Sequence, residues 1–282
     1  MRTRRTITVV GCHAGGEVGN VVVGGVLPPP GDSVFDQMQH LRTHGDALRR
    51  LLLREPRGSV ACHANLVVPA TRPDCDAGFI IMEPTEYPPM SGSNTICTAT
   101  VLLETGILPM SVPETVLRLE APGGVVEVRA ACRDGRCESV EFTNVPCFAD
   151  RLDAPLEVDG LGTIAVDVAY GGMWYAIADA AALGFAIEPH EARDLSLAGE
   201  RSRAAASASA PLHRTRARAL LRAGRPGVAD PGVARPAALD PGKERGGARG
   251  HGSCTHRLRG LRRHGLSGAR SQRPVDRRVA AR

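Results

Sequence analysis

Met90-Ser91-Gly92-Ser93-Asn94, running into Thr95-Ile96-Cys97-Thr98-Ala99-Thr100-Val101-Leu102-Leu103-Glu104-Thr105-Gly106, is the stretch on which the fold turns. Pro88-Pro89 bars helix just before it, because proline lacks the N–H and restricts its predecessor. Asn94 or Thr95 is placed to cap a helix, and Gly106 to end it. Between these limits the only charge is Glu104, so the helix is expected to be buried on most sides. A small-residue loop entering a buried helix presents free backbone N–H groups to an anion. A substrate carboxylate would fit there, with the Ser91 hydroxyl beside it. The plainer reading is a tight loop before a core helix, and the local pattern leaves both open.

Working outward, the 282 residues are enough for one large domain or two ordinary ones. No apolar run is long enough to span a bilayer. Thr6 to Val10 is too short for a signal-peptide core, so a cytoplasmic location is expected, without membrane partners. The eight cysteines form no C-x-x-C pair and are expected to be reduced in that compartment. Cys12-His13 and Cys62-His63 repeat a dipeptide of metal-ligating types. Neighbouring residues rarely chelate one ion together and no ligand spacing accompanies them, so no metal is expected.

The net charge of +5 hides a division. Residues 199–282 carry 20 of the 35 Lys+Arg but only 5 of the 30 Asp+Glu. The chain before them is therefore acidic, and the tail strongly basic. Such asymmetry is one signature of nonspecific nucleic-acid binding. The tail has no Phe, Trp or Tyr to stack on bases and no recognisable motif, so nucleic acid is an unlikely partner.

Along the chain, Thr6–Val10 reads as a strand, followed by the glycine-rich loop Gly11 to Glu17 and a second strand at Asn20–Val23. Asp32 or Ser33 caps a helix carrying Val34, Met38 and Leu41 at helical spacing. Gly45 breaks it, and a second helix with Leu48, Leu51, Leu52 and Leu53 runs to Pro56. Asn65–Pro69 and Gly78–Met82 read as buried strands. Thr115–Glu120 and Val125–Ala130 form a hairpin over Ala121-Pro122-Gly123-Gly124. Strands follow at Ser139–Thr143, Leu156–Val158, Thr163–Val168 and Met173–Ile177, and a helix starts at Pro189. Many short strands with a few helices predict an α+β protein in two units divided near residues 110–125. Past about Glu200, Arg, Ala, Gly and Pro dominate, and too little apolar surface remains to offset the entropy of ordering the chain.

Residues 4–200 resemble the proline racemase family. The resemblance rests on His13-Ala14-Gly15-Gly16-Glu17 with Val22-Val23-Gly24-Gly25, on Met82-Glu83-Pro84 through Asn94, on Leu119-Glu120-Ala121-Pro122-Gly123-Gly124, and on Ala169-Tyr170-Gly171-Gly172. It implies two similar α/β halves of diaminopimelate-epimerase-like type facing a central cleft, and an enzyme without a cofactor. The substrate would be proline or hydroxyproline, and the assembly a homodimer. The first half would span residues 1–120, a partial second half 121–200, and the basic tail 201–282, disordered or frameshifted.

The family commonly carries an acid/base cysteine in Met-Cys-Gly-His. Here Ser91 holds that position and Ser93 stands where histidine is usual. The resemblance makes Ser91 the proton-transfer group, with Gly92, Ser93 and Asn94 binding the substrate. Removing a Cα proton creates a carbanion that needs donors, and inversion needs a base on one face and an acid on the other. A hydroxyl is a weaker base than a thiolate. The serine form belongs to a branch associated with dehydration of trans-3-hydroxy-L-proline, sometimes with 2-epimerisation. Dehydration is the favoured reading, with 4-hydroxyproline 2-epimerase or proline racemase as alternatives.

The second cysteine motif, of the type Arg-Ser-Pro-Cys-Gly-Thr-Gly, is absent as protein sequence. A frameshift near residues 200–206 accounts for the absence and for the tail's composition. Codons for Val233 to Asp240, read from each third base, permit that motif. The alternative is a catalytically inactive product. Cys254 lies in a basic context that does not mark a catalytic thiol. Cys97 reads as packing, His13 and Glu17 as cleft or turn residues, and Asp167 and Tyr170 as candidates for a cleft wall.

Overall fold

The computed structural model describes residues 5–209 and the strands at 218–222, 255–257 and 276–281. The chain divides into two compact units: Met1–Val145 with Thr255–Arg282, and Pro146–Cys254.

The first unit is built on a mixed sheet. Its strands in chain order are β1 (Arg5–Val10), β2 (His13–Ala14), β3 (Glu17–Gly24), β4 (Cys62–Val68), β5 (Ala77–Met82), β6 (Glu114–Ala121), β7 (Gly124–Arg133) and β8 (Arg136–Thr143). Three helices accompany them: α1 (Val34–His44), α2 (Ala47–Leu53) and α3 (Gly92–Glu104). Along the sheet the order is β8-β7-β6-β5-β4-β3-β1, with parallel pairs at β3·β4 and β5·β6. The short strands 255–257 and 276–281 pair antiparallel with β8 and β1 at its two edges.

β5 lies at the centre and is buried throughout. Its side chains alternate between the two faces, as the strand period requires. Ile80 and Met82 enter a core with Val34, Met38, Leu48 and Leu52 of α1 and α2. Phe79 and Ile81 enter a second core with Ala99, Leu102 and Leu103 of α3 and with Leu117, Leu119, Val126 and Val128. Helices therefore cover both faces, which is why this strand reads as an unbroken apolar run. α1 starts at Ser33, whose hydroxyl accepts the Asp36 N–H at 3.1 Å, the cap that the sequence offers.

The compact units divide at Val145/Pro146, downstream of the 120/121 boundary drawn from the sequence. β6 pairs in parallel with β5, and β7 and β8 continue outward by hairpins. Their inward residues, through Phe142 and Val145, fill the same core as α3, so this segment packs with the first unit.

The second unit holds β9 (Phe148–Val158), β10 (Gly162–Tyr170), β11 (Trp174–Asp179), α4 (Ala192–Ala208) and β12 (Arg218–Arg222). The sheet order is β12-β11-β10-β9, with β12 parallel to β11 and the other pairs antiparallel. Leu156, Val158, Ile164, Val166, Val168, Ala176 and Ala178 pack with Ala206 of α4. α4 runs well past Glu200, into the compositionally different tail, because the alanine-rich segment to Ala208 favours helix and turns Ala198, Ser202 and Ala206 inward. Among the described residues no helix is long and apolar enough to cross a membrane.

Candidate active site

Ser91 is the N-cap of α3. Its backbone is extended (φ −151°, ψ 130°), its carbonyl accepts the Thr95 N–H at 3.0 Å, and its side chain makes no capping bond. The cap thus lies three residues before Asn94, and four before Thr95, the two caps read from the sequence. Asn94 is drawn inward instead, and Thr95 bonds back to the Ser91 carbonyl through its own hydroxyl at 2.8 Å. Gly106 does follow the helix end, in the left-handed region at φ 72°.

The consequence is a row of free donors. The N–H groups of Gly92, Ser93 and Asn94, the first turn of a 13-residue helix, have no acceptor among the described residues. Unpaired first-turn donors and the helix dipole together favour an anion. Beside them Ser91 Oγ stands 3.4 Å from Ser93 Oγ and accepts from Asn94 Nδ2 at 2.9 Å. Ser91, Gly92 and Ser93 are half-buried, while Asn94 is fully buried.

Behind the loop lies a polar layer. Residues 63 and 65 of β4 alternate with the apolar Ala64, Leu66 and Val68, which face α1 and α2, so His63 and Asn65 face α3. Asn65 Nδ2 donates to Asn94 Oδ1 at 2.8 Å. His63 Nδ1 lies 3.4 Å from Asn94 Nδ2 and 3.2 Å from Glu17 Oε1. Gly19 of β3 leaves the space for this: a methyl there would lie 3.1 Å from Asn94 Oδ1 and 2.8 Å from Cys97 Sγ. Cys97 is fully buried, as a packing role requires. The neighbouring Cys97 thiol holds Cys12 below the usual range, while Cys12 and burial push Cys97 up.

The loop is anchored at both ends. Arg49 of α2 reaches the carbonyls of Glu83 and Pro84, and is itself held by Asp46 at 2.6 Å. The Tyr87 hydroxyl donates to Asp46 at 3.1 Å, and the Tyr87 ring carries the Arg49 guanidinium at 5.5 Å. Arg49, with help from Tyr87, keeps the Asp46 carboxyl below its ordinary range. Nearer Ser91, Gly123 in the β6–β7 turn donates to the Pro89 carbonyl at 2.7 Å. Any side chain at Gly123 would press on that carbonyl, with Cβ only 3.0 Å away.

Of the other residues read from the sequence, His13 Nδ1 accepts the Gly16 N–H at 3.3 Å, a turn role, and Glu17 pairs with His63. In the second unit, Tyr170 packs with Phe148 and Trp174, ring centroids 5.4–5.6 Å apart, and burial raises its phenol. Asp167 lines a cavity of about 400 Å³ there with Asp153, Thr163 and Asp179. Cys254 and residues 233–240 lie outside the described residues. Sequence reasoning missed His63 and Asn65. Their signal was present: two polar residues, two apart, in a strand whose other face is apolar. Among the described residues no group of three or more His, Cys, Asp or Glu is placed to hold a metal ion.

Residues 9–222 match the proline racemase family. Among solved structures the chain is similar to a hydroxyproline epimerase from Agrobacterium vitis with bound trans-4-hydroxy-L-proline. The identity is 45% and the TM-score 0.70, over 72% of this chain and 60% of that one. It is also similar to a probable proline racemase from Agrobacterium radiobacter K84 with bound carbonate, at 44% identity and a TM-score of 0.68, over 70% of this chain and 59% of that one. The chain therefore spans about three fifths of the length of those two proteins.

Proposed function

The chain belongs to the proline racemase family, and from that premise we propose that Ser91 transfers the Cα proton of a hydroxyproline whose carboxylate rests on the first turn of α3. The observation that carries this reading is the conjunction at one helix end of three free N–H groups with a hydroxyl held by Asn94. The substrate carboxylate takes the N–H groups of Gly92, Ser93 and Asn94. That places Cα next to Ser91 Oγ and lets the same donors draw electron density from the carbanion as it forms. In its alkoxide form Ser91 takes the Cα proton; as the hydroxyl it returns one. Similarity to a hydroxyproline epimerase supports a hydroxyproline as substrate and, in a chain that holds both proton-transfer groups, 2-epimerisation as the outcome.

Inversion also needs a group on the opposite face of Cα. The family motif for that group is absent from this sequence, and the frameshift reading accounts for its loss. A chain with one proton-transfer group exchanges the Cα proton with solvent and retains configuration. Dehydration of trans-3-hydroxy-L-proline is the second reading. A serine in place of the usual cysteine favours it, since loss of the 3-hydroxyl drives the step forward where the base is harder to form.

The test is proton NMR in D₂O with trans-4-hydroxy-L-proline, its 2-epimer and trans-3-hydroxy-L-proline. Deuterium is expected at Cα of at least one of them, at a rate that falls at least a hundredfold in Ser91→Ala. Dehydration would be read as loss of the 3-hydroxy compound to a pyrroline carboxylate. No exchange on any of the three, or exchange untouched by Ser91→Ala, would refute the proposal.

A further inference from the structure

We propose that Asn94, held in place by Asn65, is the positioning residue that aims an amide hydrogen at Ser91 Oγ and so stabilises its deprotonated form. This rests on the reading of Ser91 as a proton-transfer group, and it assigns to the layer behind the loop the work that a serine there requires. A serine hydroxyl in water gives up its proton far less readily than a thiol, so a serine used as a base needs a donor directed at its oxygen.

The line of hydrogen bonds has a direction. A carboxamide has one oxygen and one NH₂ group. Asn65 Nδ2 occupies the Asn94 oxygen at 2.8 Å, which turns the Asn94 NH₂ toward Ser91 Oγ at 2.9 Å. Both amides are fully buried, so no water competes for these groups and each bond is stronger than it would be at the surface. The second Asn94 amide hydrogen faces His63 Nδ1. That nitrogen serves one neighbour at a time. Carrying a proton, it donates to Glu17; without one, it accepts from Asn94.

Asn65 Oδ1 is buried with no donor among the described residues, so only the contact with Asn94 fixes how Asn65 is turned. An acceptor-only group at position 65 would pull the Asn94 NH₂ away and present its oxygen to Ser91. The direction of the line, and with it the chemistry at Ser91, is thus set one residue further back than the residue that touches it.

The experiment uses the full chain carrying Ser91→Cys, which puts a titratable sulfur at the same place. Its rate of alkylation by iodoacetamide is followed across pH by peptide-resolved mass spectrometry, so the native cysteines do not interfere. Only the thiolate reacts. Adding Asn94→Ala, or Asn65→Asp, is expected to move this titration upward by about one pH unit, roughly tenfold less thiolate at a pH below both values. A purely structural role would lower the melting temperature and leave the titration where it was. If one variant fails to fold, the other decides. Coincident titrations in the folded variants and the parent would overturn the proposal. In the Ser91 chain, Asn94→Ala is expected to lower kcat for Cα exchange about tenfold with little change in KM, the mark of a group that acts on proton transfer. If the parent chain exchanges no proton, the assignment of activity fails, while the alkylation result still judges the placement of Asn94.

Discussion

Gly92 stands against the ring of Phe142, and replacing it with alanine measures how tightly the candidate site is packed. A methyl at this Cα would lie 2.7 Å from Phe142 Cζ and 3.3 Å from Cε1. Carbon atoms at best contact are about 3.5–4.0 Å apart, so the groups overlap. Phe142 is 4% exposed and set in a filled core, so its ring has nowhere to go without moving β8 or the first turn of α3. The backbone at Gly92 is not left-handed, and alanine adopts it without strain. On helix propensity alone the change would stabilise, but by well under the roughly 1 kcal/mol of a helix interior, because Gly92 is the first helical residue. Overpacking a full core costs about 1–3 kcal/mol. Overlap outweighs propensity, and the net expectation is a loss of about 1–2 kcal/mol. For a protein of this size that is a fall of roughly 2–8 °C in melting temperature.

Urea unfolding of Gly92→Ala, Phe142→Leu and the double variant gives the coupling directly. Leucine relieves the overlap, so the two changes together should cost about 1 kcal/mol less than their sum. Gly92→Ala as stable as the parent or more so, or a strictly additive pair, would refute the packing argument. It would also release Gly92 from its place on the ring, and with it the constraint on the N–H proposed to meet the carboxylate.

Glu120→Ala should destabilise the first unit by about 3 kcal/mol in urea melts. This buried carboxylate accepts from Thr71 N and Thr71 Oγ1, both at 2.7 Å, and from Arg72 N at 3.1 Å, and truncation leaves those donors without their charged acceptor. Asp46→Asn should lower stability near neutral pH and flatten its acid limb. The folded-state pKa of Asp46 is depressed, so its contribution is complete above the unfolded carboxylate value of about 3.9 and is lost as pH falls through the lower folded value. Urea midpoints between pH 2 and 7 check this, and parallel curves for the two proteins would contradict it.

Much of the first unit was legible because each of its signals is local. Ser33 caps α1, Gly45 ends it, and β5 reads as an unbroken apolar run because helices cover both its faces. The start of α3 was misplaced for a physical reason. Asn94 is a good capping residue by type, yet Asn65, 29 residues away in sequence, holds its oxygen, and no local rule sees that partner. The 120/121 boundary drawn from the sequence and the Val145/Pro146 division differ for a similar reason. The turn at Pro122-Gly123 has the composition of a divider, but the hairpin it joins lies on β5 and closes over Pro89. Ser91 and its flanking residues stood out because prolines and small residues precede a helix with one charge. His63 and Asn65 were hidden among valines and leucines.

β4 serves two masters through parity alone. Its even-numbered positions Ala64, Leu66 and Val68 belong to the core under α1 and α2, and its odd-numbered positions His63 and Asn65 belong to the polar layer under α3. Gaining or losing one residue within the strand would therefore drive leucine into the polar layer and asparagine into oil, in a single stroke. The same change in the exposed turn at Arg54–Arg57, before the strand begins, would leave both sets in place. Natural variation in length is then expected to collect in that turn and to stop abruptly at Cys62, a frontier drawn by the alternation of one strand.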